Sequence, residues 1–102
     1  PPLLPVLRFF VTGCASGIGR HLAGVLLAAG HQVFATDLDD AALRAHADAM
    51  AWPTDRAHTR RLDVSDADAW ELVFAEAVAT MGAVDVLCNV AGYLLPGRVG
   101  RY

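Results

Sequence analysis

The segment that most restricts how this chain can fold is the glycine-rich stretch TGCASGIG at residues 12–19. The β-branched and aromatic run LRFFVT at residues 7–12 precedes it and predicts a short buried strand. The sequence IGRHLAGVLLAA at residues 18–29 follows it and predicts an amphipathic helix. A glycine-rich turn between a strand and a helix presents backbone N–H groups and the positive end of the helix dipole to an anion. This segment therefore predicts a phosphate-binding βα unit.

Each glycine of the turn has its own predicted role. Gly13 permits the tight turn, and Gly17 lets the backbone approach a phosphate without a Cβ atom in the way. Gly19 lets the helix pack closely on the strand. Glycines in a turn of this kind also occur for structural reasons alone, so the pattern by itself leaves a purely structural role open.

The apolar positions of the first helix predict its buried face and its end. Five apolar residues fall on one side of the helix when they are placed at helical spacing. They are Ile18, Leu22, Val25, Leu26 and Ala29. Gly30 then occupies the position at which a residue in the left-handed conformation ends a helix.

Strand and helix patterns continue to alternate after this helix. HQVFATD at residues 31–37 resembles a second buried strand. Asp39 or Asp40 is the predicted N-cap of the helix AALRAHADAMA, and Pro53 closes that element. TRRLDV at residues 59–64 is a weaker candidate for the third strand.

A third helix and a fourth strand complete the series. Ser65 and Asp68 form a capping-box pattern ahead of the helix ADAWELVFAEAVATM at residues 67–81. Gly82 ends this helix, and VDVLCN at residues 84–89 is the fourth apolar strand.

The order βαβαβαβ predicts the fold class. The strands are continuously apolar rather than alternating, which indicates a parallel sheet covered by helices on both faces. Right-handed crossovers make it an α/β, doubly wound, Rossmann-like sheet. A switch point after the first strand gives the strand order 3-2-1-4 and places ligands at the carboxyl ends of strands one and four. We expect residues 1–102 to form a single domain of this class.

Composition and charge narrow the classes of partner. The chain has a net charge of -3, and its eight basic residues are all arginines without a basic cluster, so we expect no nucleic acid partner. No run approaches the roughly eighteen apolar residues of a membrane span, so we expect no membrane partner. Cys14 and Cys88 lack the spacing of metal ligands, and we expect two unbridged thiols, no metal and a cytoplasmic location.

Four motifs at the predicted strand ends resemble those of one protein family. They are TGxxxGxG at residues 12–19, Asp37, the pair Asp63 and Val64, and the run Asn89, Val90, Ala91 and Gly92. In this form and order they resemble the short-chain dehydrogenase/reductase family, from about Leu7 to Gly97. The departures are small, since Val90 stands where the NNAG motif of the family has its second asparagine, and Cys14 occupies a variable position.

The resemblance implies that residues 1–102 are a single, truncated NAD-binding Rossmann domain. It therefore implies NAD as cofactor and a set of residues that hold it. Asp37 would accept hydrogen bonds from the adenosine ribose, Asp63 and Val64 would flank the adenine, and Asn89 would tie the sheet together. The full predicted set is Gly13, Ser16, Gly17, Ile18, Gly19, Asp37, Leu38, Asp63, Val64, Asn89, Ala91 and Gly92. NAD is preferred over NADP because Asp37 repels a 2′-phosphate and neither Ser16 nor Leu38 supplies a cation.

Two of these carboxylates also have a simpler interpretation. Asp37 could be one of three acids, with Asp39 and Asp40, that favour the start of the next helix. Asp63 could be the solvated end of a strand. Asn89 suits a structural turn even within the family, because a short amide bonds readily to nearby backbone.

The resemblance also implies hydride transfer between the nicotinamide and an alcohol or carbonyl carbon of a small-molecule alcohol or ketone. In the family a tyrosine of a YxxxK motif moves the proton, and its lysine lowers the tyrosine pKa. Neither Tyr93 nor Tyr102 belongs to such a motif, and the chain contains no lysine. We therefore assign no catalytic residue and expect this chain to be inactive alone.

Three functional interpretations remain open. The first is the cofactor-binding fragment of an oxidoreductase of this family. The second is a stand-alone, non-catalytic nucleotide-binding or interaction module. The third is another Rossmann enzyme, such as a methyltransferase that uses S-adenosylmethionine, against which the NVAG sequence at the fourth strand argues.

The fourth strand also predicts an assembly property. If the sheet ends at residues 84–88, an apolar edge is left without a neighbouring strand, and such edges pair with other chains. We therefore expect self-association. The alternative is that residues 93–102 fold back as a cap, which Pro96 and Gly97 would permit.

Overall fold

The computed structural model of the protein describes residues 5–91. The strands are β1 (Arg8–Thr12), β2 (Gln32–Asp37), β3 (Ala57–Arg61) and β4 (Val86–Asn89). The helices are α1 (Gly17–Ala28), α2 (Asp40–Ala49) and α3 (Ala67–Met81). Gly92, in the predicted cofactor set, and residues 93–102, the predicted cap, lie outside the described residues.

All strand pairs are parallel, and the strand order is β3-β2-β1-β4. Val11 of β1 is paired with Ala35 of β2 on one side and with Cys88 of β4 on the other. The predicted doubly wound sheet and its 3-2-1-4 order are confirmed. The carboxyl ends of β1 and β4 therefore lie side by side, as the switch point requires.

One face of the sheet is covered by α3 and is rich in aromatic rings. Phe10 of β1 stacks on Phe34 of β2 with ring centroids 5.6 Å apart, and it meets the indole of Trp70 edge-on at 5.5 Å. We call this face the aromatic layer. Its buried residues are Phe10, Phe34, Leu62, Trp70, Val73, Ala77 and Met81.

The other face is covered by α1 and α2 and is built from smaller side chains. We call it the small-residue layer. Its buried residues are Val11, Cys14, Ala23, Leu27, Val33, Ala35 and Leu43. Each layer contains residues from β1 and β2, because successive side chains of a strand point to opposite faces.

The predicted buried face of α1 is partly wrong. Ile18 is 76% exposed and Val25 is 50% exposed, and Ala29 is also exposed, although all three were expected on the buried side. The residues of α1 that are buried are Gly19, Ala23 and Leu27. The small residues Gly19 and Ala23, four positions apart, let the helix axis approach the sheet. Leu22 and Leu26 lie toward the margins of the contact, where they pack partly buried.

Two helices end at the glycines predicted from the sequence, but one of the predicted N-caps is wrong. Gly30 has a φ of +94°, which confirms the predicted left-handed end of α1, and α3 ends at Gly82 as predicted, with a φ of +89°. Asp39 caps α2 by accepting a hydrogen bond from Ala42 N at 3.1 Å. The capping box at Ser65 is wrong, because Asp66 is the N-cap of α3 and accepts from Ala69 N at 3.1 Å.

The third strand is displaced from its predicted range of 59–64. It spans Ala57–Arg61, because it pairs with β2 from Val33 to Asp37. Asp63 and Val64 therefore do not belong to the strand. They lie in the turn that leads to α3, in which Asp66 N donates to Asp63 O at 3.0 Å. The remaining elements agree with the predicted ranges to within two residues.

The amino ends of the strands are tied by side chains that bind backbone. The Arg8 Nε atom lies 3.1 Å from Asp85 Oδ2, and Arg8 N donates to the same oxygen at 2.8 Å. Arg56 donates to the carbonyls of Leu27 and His31, at 2.9 and 3.1 Å, and so caps the end of α1. Within residues 5–91, α1, α2 and α3 are all too short or too polar to cross a bilayer.

Candidate cofactor-binding site

The glycine-rich turn joins β1 to α1 in a conformation that needs two of its glycines. Gly13 and Gly17 have φ of +71° and +58°, in the left-handed region that side chains other than glycine rarely adopt. A Cβ atom on Gly13 would lie 3.1 Å from Ala91 N, so the turn also packs against the chain after β4. This confirms the tight turn predicted at Gly13.

Gly19 is required by packing rather than by its dihedral angles. A Cβ atom at this position would overlap the carbonyl oxygen of Gly13 and lie 2.6 Å from its carbonyl carbon. It would also lie 3.0 Å from Thr12 O at the end of β1. The close contact of the helix with the strand end, predicted from the sequence, is therefore confirmed.

The first turn of α1 is open to solvent. Ser16 is the N-cap, has an extended backbone, and makes no capping hydrogen bond with its side chain. Gly17 is exposed, and nothing lies within 4 Å of where its Cβ would be. The first turn carries no acidic residue. The positive end of the helix dipole is therefore available to an anion, which is the property a pyrophosphate site needs.

Asp37 ties the end of β2 to the glycine-rich turn. Its Oδ2 atom accepts a hydrogen bond from Ala15 N at 2.9 Å, and its Oδ1 atom accepts one from Asp39 N at 2.9 Å. The carboxylate thus lies beside the turn instead of capping α2, which is the role of Asp39. Leu38, the next residue, is 55% exposed.

A buried threonine that sequence reasoning did not single out joins β1 to β4. The Thr12 hydroxyl donates to Asn89 Oδ1 at 2.7 Å and accepts from Ala91 N at 3.0 Å, and Thr12 is fully buried. Asn89 therefore has the cross-sheet role that the resemblance implies. The signal in the sequence is a hydroxyl residue at the end of a buried strand, where its partner is expected on a neighbouring strand end.

Asp63 is held by the residue two positions later. Its Oδ1 atom accepts from Ser65 Oγ at 2.6 Å and from Ser65 N at 3.0 Å. These two hydrogen bonds hold the pKa of the Asp63 carboxyl below its ordinary value, and the charge of Arg61 acts in the same direction. Asp63 is therefore ionised at neutral pH.

The strand ends and the turn enclose a pocket of about 200 Å³. Its lining residues are Gly13, Asp37, Leu38, Leu62, Asp63, Val64 and Ala91. All but Leu62 belong to the predicted cofactor set. Ser16, Gly17 and Ile18 lie at the start of α1 instead, while Gly19 and Asn89 support the turn from within.

Sequence reasoning missed two further residues at this site. Leu62 is buried and forms a wall of the pocket, directly after the strand that the sequence placed too far along the chain. Arg61 is exposed and pairs in register with Asp37 of the neighbouring strand. Paired residues of parallel strands share a face, so this register, had it been known, would have indicated a cation near the carboxylate.

The cysteines near the turn are unbridged, as expected. Burial raises the pKa of Cys14 to about 12, so its thiol stays protonated at neutral pH, and its Sγ donates to Val11 O at 3.3 Å. Among residues 5–91 there is no cluster of three or more His, Cys, Asp or Glu residues that could hold a metal ion.

Comparison with known proteins agrees with this geometry. A family model described as short chain dehydrogenase matches residues 8–101. The chain belongs to the short-chain dehydrogenase/reductase family, an oxidoreductase family that binds nicotinamide cofactors.

Individual relatives match at moderate identity. The chain is 41% identical over 92 residues to 2-keto-3-deoxy-L-fuconate dehydrogenase of Xanthomonas campestris, which covers 90% of this chain and 28% of that protein. The chain spans about a third or less of the length of the curated relatives it matches.

Solved structures of the family share the fold. A short-chain dehydrogenase from Streptomyces avermitilis superposes with a TM-score of 0.72 at 37% identity, over 81% of this chain and 30% of that chain. A short chain dehydrogenase/reductase from Burkholderia phymatum, in complex with NAD, gives a TM-score of 0.74 at 26% identity, over 80% of this chain and 29% of that chain.

Proposed function

We propose that this chain binds NAD and forms the cofactor-binding part of an oxidoreductase. The whole protein would transfer hydride between the nicotinamide and the alcohol or carbonyl carbon of a small molecule. The observation that carries the proposal is the position of the Asp37 carboxylate, beside a glycine-rich turn whose helix N-terminus is open. The unbridged cysteines fit a cytoplasmic location.

The parts of the site match the parts of a dinucleotide. The open helix N-terminus at Gly17 suits the pyrophosphate, because backbone N–H groups and the helix dipole both favour negative charge there. Asp37 suits the adenosine ribose, since a carboxylate accepts hydrogen bonds from hydroxyl groups. The pocket walls at Leu38 and Val64 suit the apolar faces of the adenine, with Asp63 at its polar edge.

We further propose that the site prefers NAD to NADP. A 2′-phosphate placed at the ribose would be repelled by the Asp37 carboxylate. Arg61 on the adjacent strand offsets part of this repulsion, but it is exposed and screened by solvent, whereas Asp37 is held in place by two backbone N–H groups. The carboxylate therefore dominates.

Calorimetric titration of the protein with both cofactors tests this proposal. We expect NAD to bind more tightly than NADP, and Asp37→Ala to weaken NAD binding by about 1–3 kcal/mol, because hydrogen bonds to a charged group are lost. Asp48→Ala, which removes an exposed carboxylate of α2, is the matched control. Equal affinities, or tighter NADP binding, would overturn the assignment of Asp37.

For the 102-residue polypeptide we expect NAD binding without catalytic turnover. It contains no YxxxK motif and no lysine. General acid–base catalysis is worth about a hundred- to ten-thousand-fold in rate, so the polypeptide alone should bind NAD without oxidising alcohols. Formation of NADH well above background by purified protein would contradict this expectation.

A further inference from the structure

The outer surface between α1 and α2 contains a groove of about 400 Å³, a volume within the range of small-molecule sites. We call it the α1/α2 groove. Its lining residues extend along α1 from Gly17 to Ala28, a distance of roughly 16 Å along the helix axis. It shares no lining residue with the pocket at the strand ends, and of the predicted cofactor set only Gly17 borders it. The groove is therefore separate from the proposed nucleotide pocket.

Gly24 lies in the middle of α1 and lines the groove, although neither its conformation nor its packing requires glycine. Its φ is negative, and no atom of residues 5–91 lies within 4 Å of where its Cβ would be. Gly19, in the same helix, is by contrast required by packing. Glycine inside a helix lowers helix stability relative to alanine. What the missing side chain provides is space, because it leaves the centre of the groove open to the helix backbone.

One end of the groove is cationic. Arg20 and His21 are exposed near the start of α1, where the positive end of the helix dipole also lies. No carboxylate among residues 5–91 pairs with Arg20, and no acidic residue of that range lines the groove. Asp48 of α2 lines a different cavity, which Trp52 also borders. The positive charge at this end is therefore unbalanced, in a chain whose net charge is -3.

The other end of the groove is apolar. Val25 is 50% exposed and Met50 is 61% exposed, so two large apolar side chains face solvent there. Trp52 meets the ring of His46 edge-on, with ring centroids 5.4 Å apart. The turn that brings Trp52 back against α2 holds Ala51 at a φ of +52°, which side chains other than glycine rarely adopt. A fixed indole and a flexible thioether can together enclose an apolar chain.

We propose that the α1/α2 groove binds a small amphipathic anion, in which one anionic group is carried on an unbranched apolar chain. The anionic group lies at Arg20 and His21, whose N–H groups donate to it. The apolar chain crosses the helix backbone at Gly24 and contacts Met50 and Trp52. Such a ligand partners the unpaired cation and covers the exposed apolar surface at the same time. Its binding does not depend on NAD.

Decanoate, below the concentration at which it forms micelles, is the probe for this site. The comparison ligands are 1-decanol and decyltrimethylammonium, which carry an uncharged and a cationic group on the same chain. Fluorescence reports binding, because Trp52 lines the groove, whereas Trp70 is buried on the other face of the sheet. We expect decanoate to bind more tightly than either comparison ligand and to change the emission of Trp52. In Trp52→Phe the remaining emission, from Trp70, should not respond.

Two substitutions locate the ligand, with dissociation constants measured by calorimetry. Gly24→Leu fills the groove with a residue that favours helix, and it should weaken decanoate binding by at least about tenfold. Ala75→Leu adds the same side chain to an exposed position of α3 and should leave binding unchanged.

Arg20→Gln should weaken decanoate binding about two- to fivefold and leave 1-decanol binding unchanged, since it removes only an exposed charge. Arg44→Gln, at an exposed arginine of α2, is its control. Circular dichroism establishes that each variant is folded.

Several results would overturn the proposal. Decanoate might fail to bind the unaltered protein, or the cationic ligand might bind as tightly as decanoate does. Equal effects of Gly24→Leu and Ala75→Leu would place the ligand outside the groove, and so would a response of Trp70 emission in Trp52→Phe. Equal effects of Arg20→Gln and Arg44→Gln would remove the role of Arg20. A failure of NAD to bind would leave this proposal standing, because the two sites are tested with different ligands.

Discussion

The two faces of the sheet are built in different ways, although both strands at its centre contribute to each. The aromatic layer packs large rings, such as Phe10 and Trp70, between the sheet and one helix. The small-residue layer packs Ala23 and Ala35 between the sheet and two helices. The side chains of the two faces thus differ sharply in size, although both sets are well buried.

The difference matches the position of the glycine-rich turn, where we propose that the nucleotide binds. The site is formed at the start of α1, and its turn has to touch both the end of β1 and the chain after β4. Only small residues allow the helix axis to come that close, as the overlap at Gly19 demonstrates. The aromatic layer has no such constraint, so it can bury large apolar surface. The small-residue layer thus allows the close approach of the turn, while the aromatic layer buries larger side chains.

The largest expected effect comes from removing a ring of the aromatic layer. Trp70 is 2% exposed, and Trp70→Ala should lower the free energy of unfolding by about 3–5 kcal/mol, because it removes a large buried ring and leaves a cavity. Trp52→Ala is the matched control on the other face, where the indole is only partly buried. Urea denaturation measures both. An equal loss in the two variants would show that the layers do not differ in this way.

The next effect tests the close approach in the small-residue layer. Gly19→Ala should lower the free energy of unfolding by about 1–3 kcal/mol, because its Cβ would overlap backbone atoms of the turn. Gly24→Ala in the same helix has nothing within 4 Å of its Cβ and should raise that free energy by about 0.5–1 kcal/mol. The opposite signs distinguish packing from helix propensity. A stabilising Gly19→Ala would contradict the model of the turn.

A third test concerns the strand at which both layers end. Within residues 5–91, β4 pairs with β1 alone, and its two faces carry Leu87 and Cys88. We propose that this edge pairs with a second copy of the chain, and that Val86→Lys weakens the association, because a charge on an edge strand opposes pairing. Sedimentation at several protein concentrations measures it. A monomer at all concentrations, unchanged by the substitution, would refute the proposal.

The smallest expected effect concerns the charge of Arg61, which pairs with Asp37 at the carboxyl ends of β3 and β2. Arg61→Ala should weaken NADP binding by about 0.2–1 kcal/mol and leave NAD binding nearly unchanged, since an exposed charge acts mainly on the 2′-phosphate. Arg44→Ala, an exposed arginine of α2, is the control. Calorimetry at low ionic strength gives the clearest comparison. Equal weakening of both cofactors would place Arg61 elsewhere in the site.

The order of the elements could be predicted from the sequence because each depends on local signals. Continuous apolar runs indicate buried parallel strands, and glycines such as Gly30 and Gly82 take the left-handed conformation wherever a helix must end. The pocket residues at the strand ends followed from the topology, since parallel strands bring their carboxyl ends to one edge. Asp37 and Asp63 were assigned from the resemblance to the family.

The details that the sequence could not supply depend on contacts between distant elements. The rotation of α1 is decided by the close fit of Ala23 against the sheet, which the spacing of larger apolar residues does not reveal. The range of β3 is fixed by its register with β2. The N-cap of α3 could not be chosen from the sequence, because Ser65 and the neighbouring Asp66 both have side chains that suit an N-cap.

The hydrogen bonds of the site join parts of the chain that are made at very different times. Ala15 and Asp37 are 22 residues apart, whereas Thr12 and Asn89 are 77 apart. Local contacts form early in folding and distant ones late, so the glycine-rich turn and its carboxylate can come together while the fourth strand is still being synthesised. The buried Thr12 can form its hydrogen bonds with Asn89 and Ala91 only afterwards. We expect the proposed nucleotide site to be completed only when β4 has paired with β1, so that the cofactor binds after that step of folding.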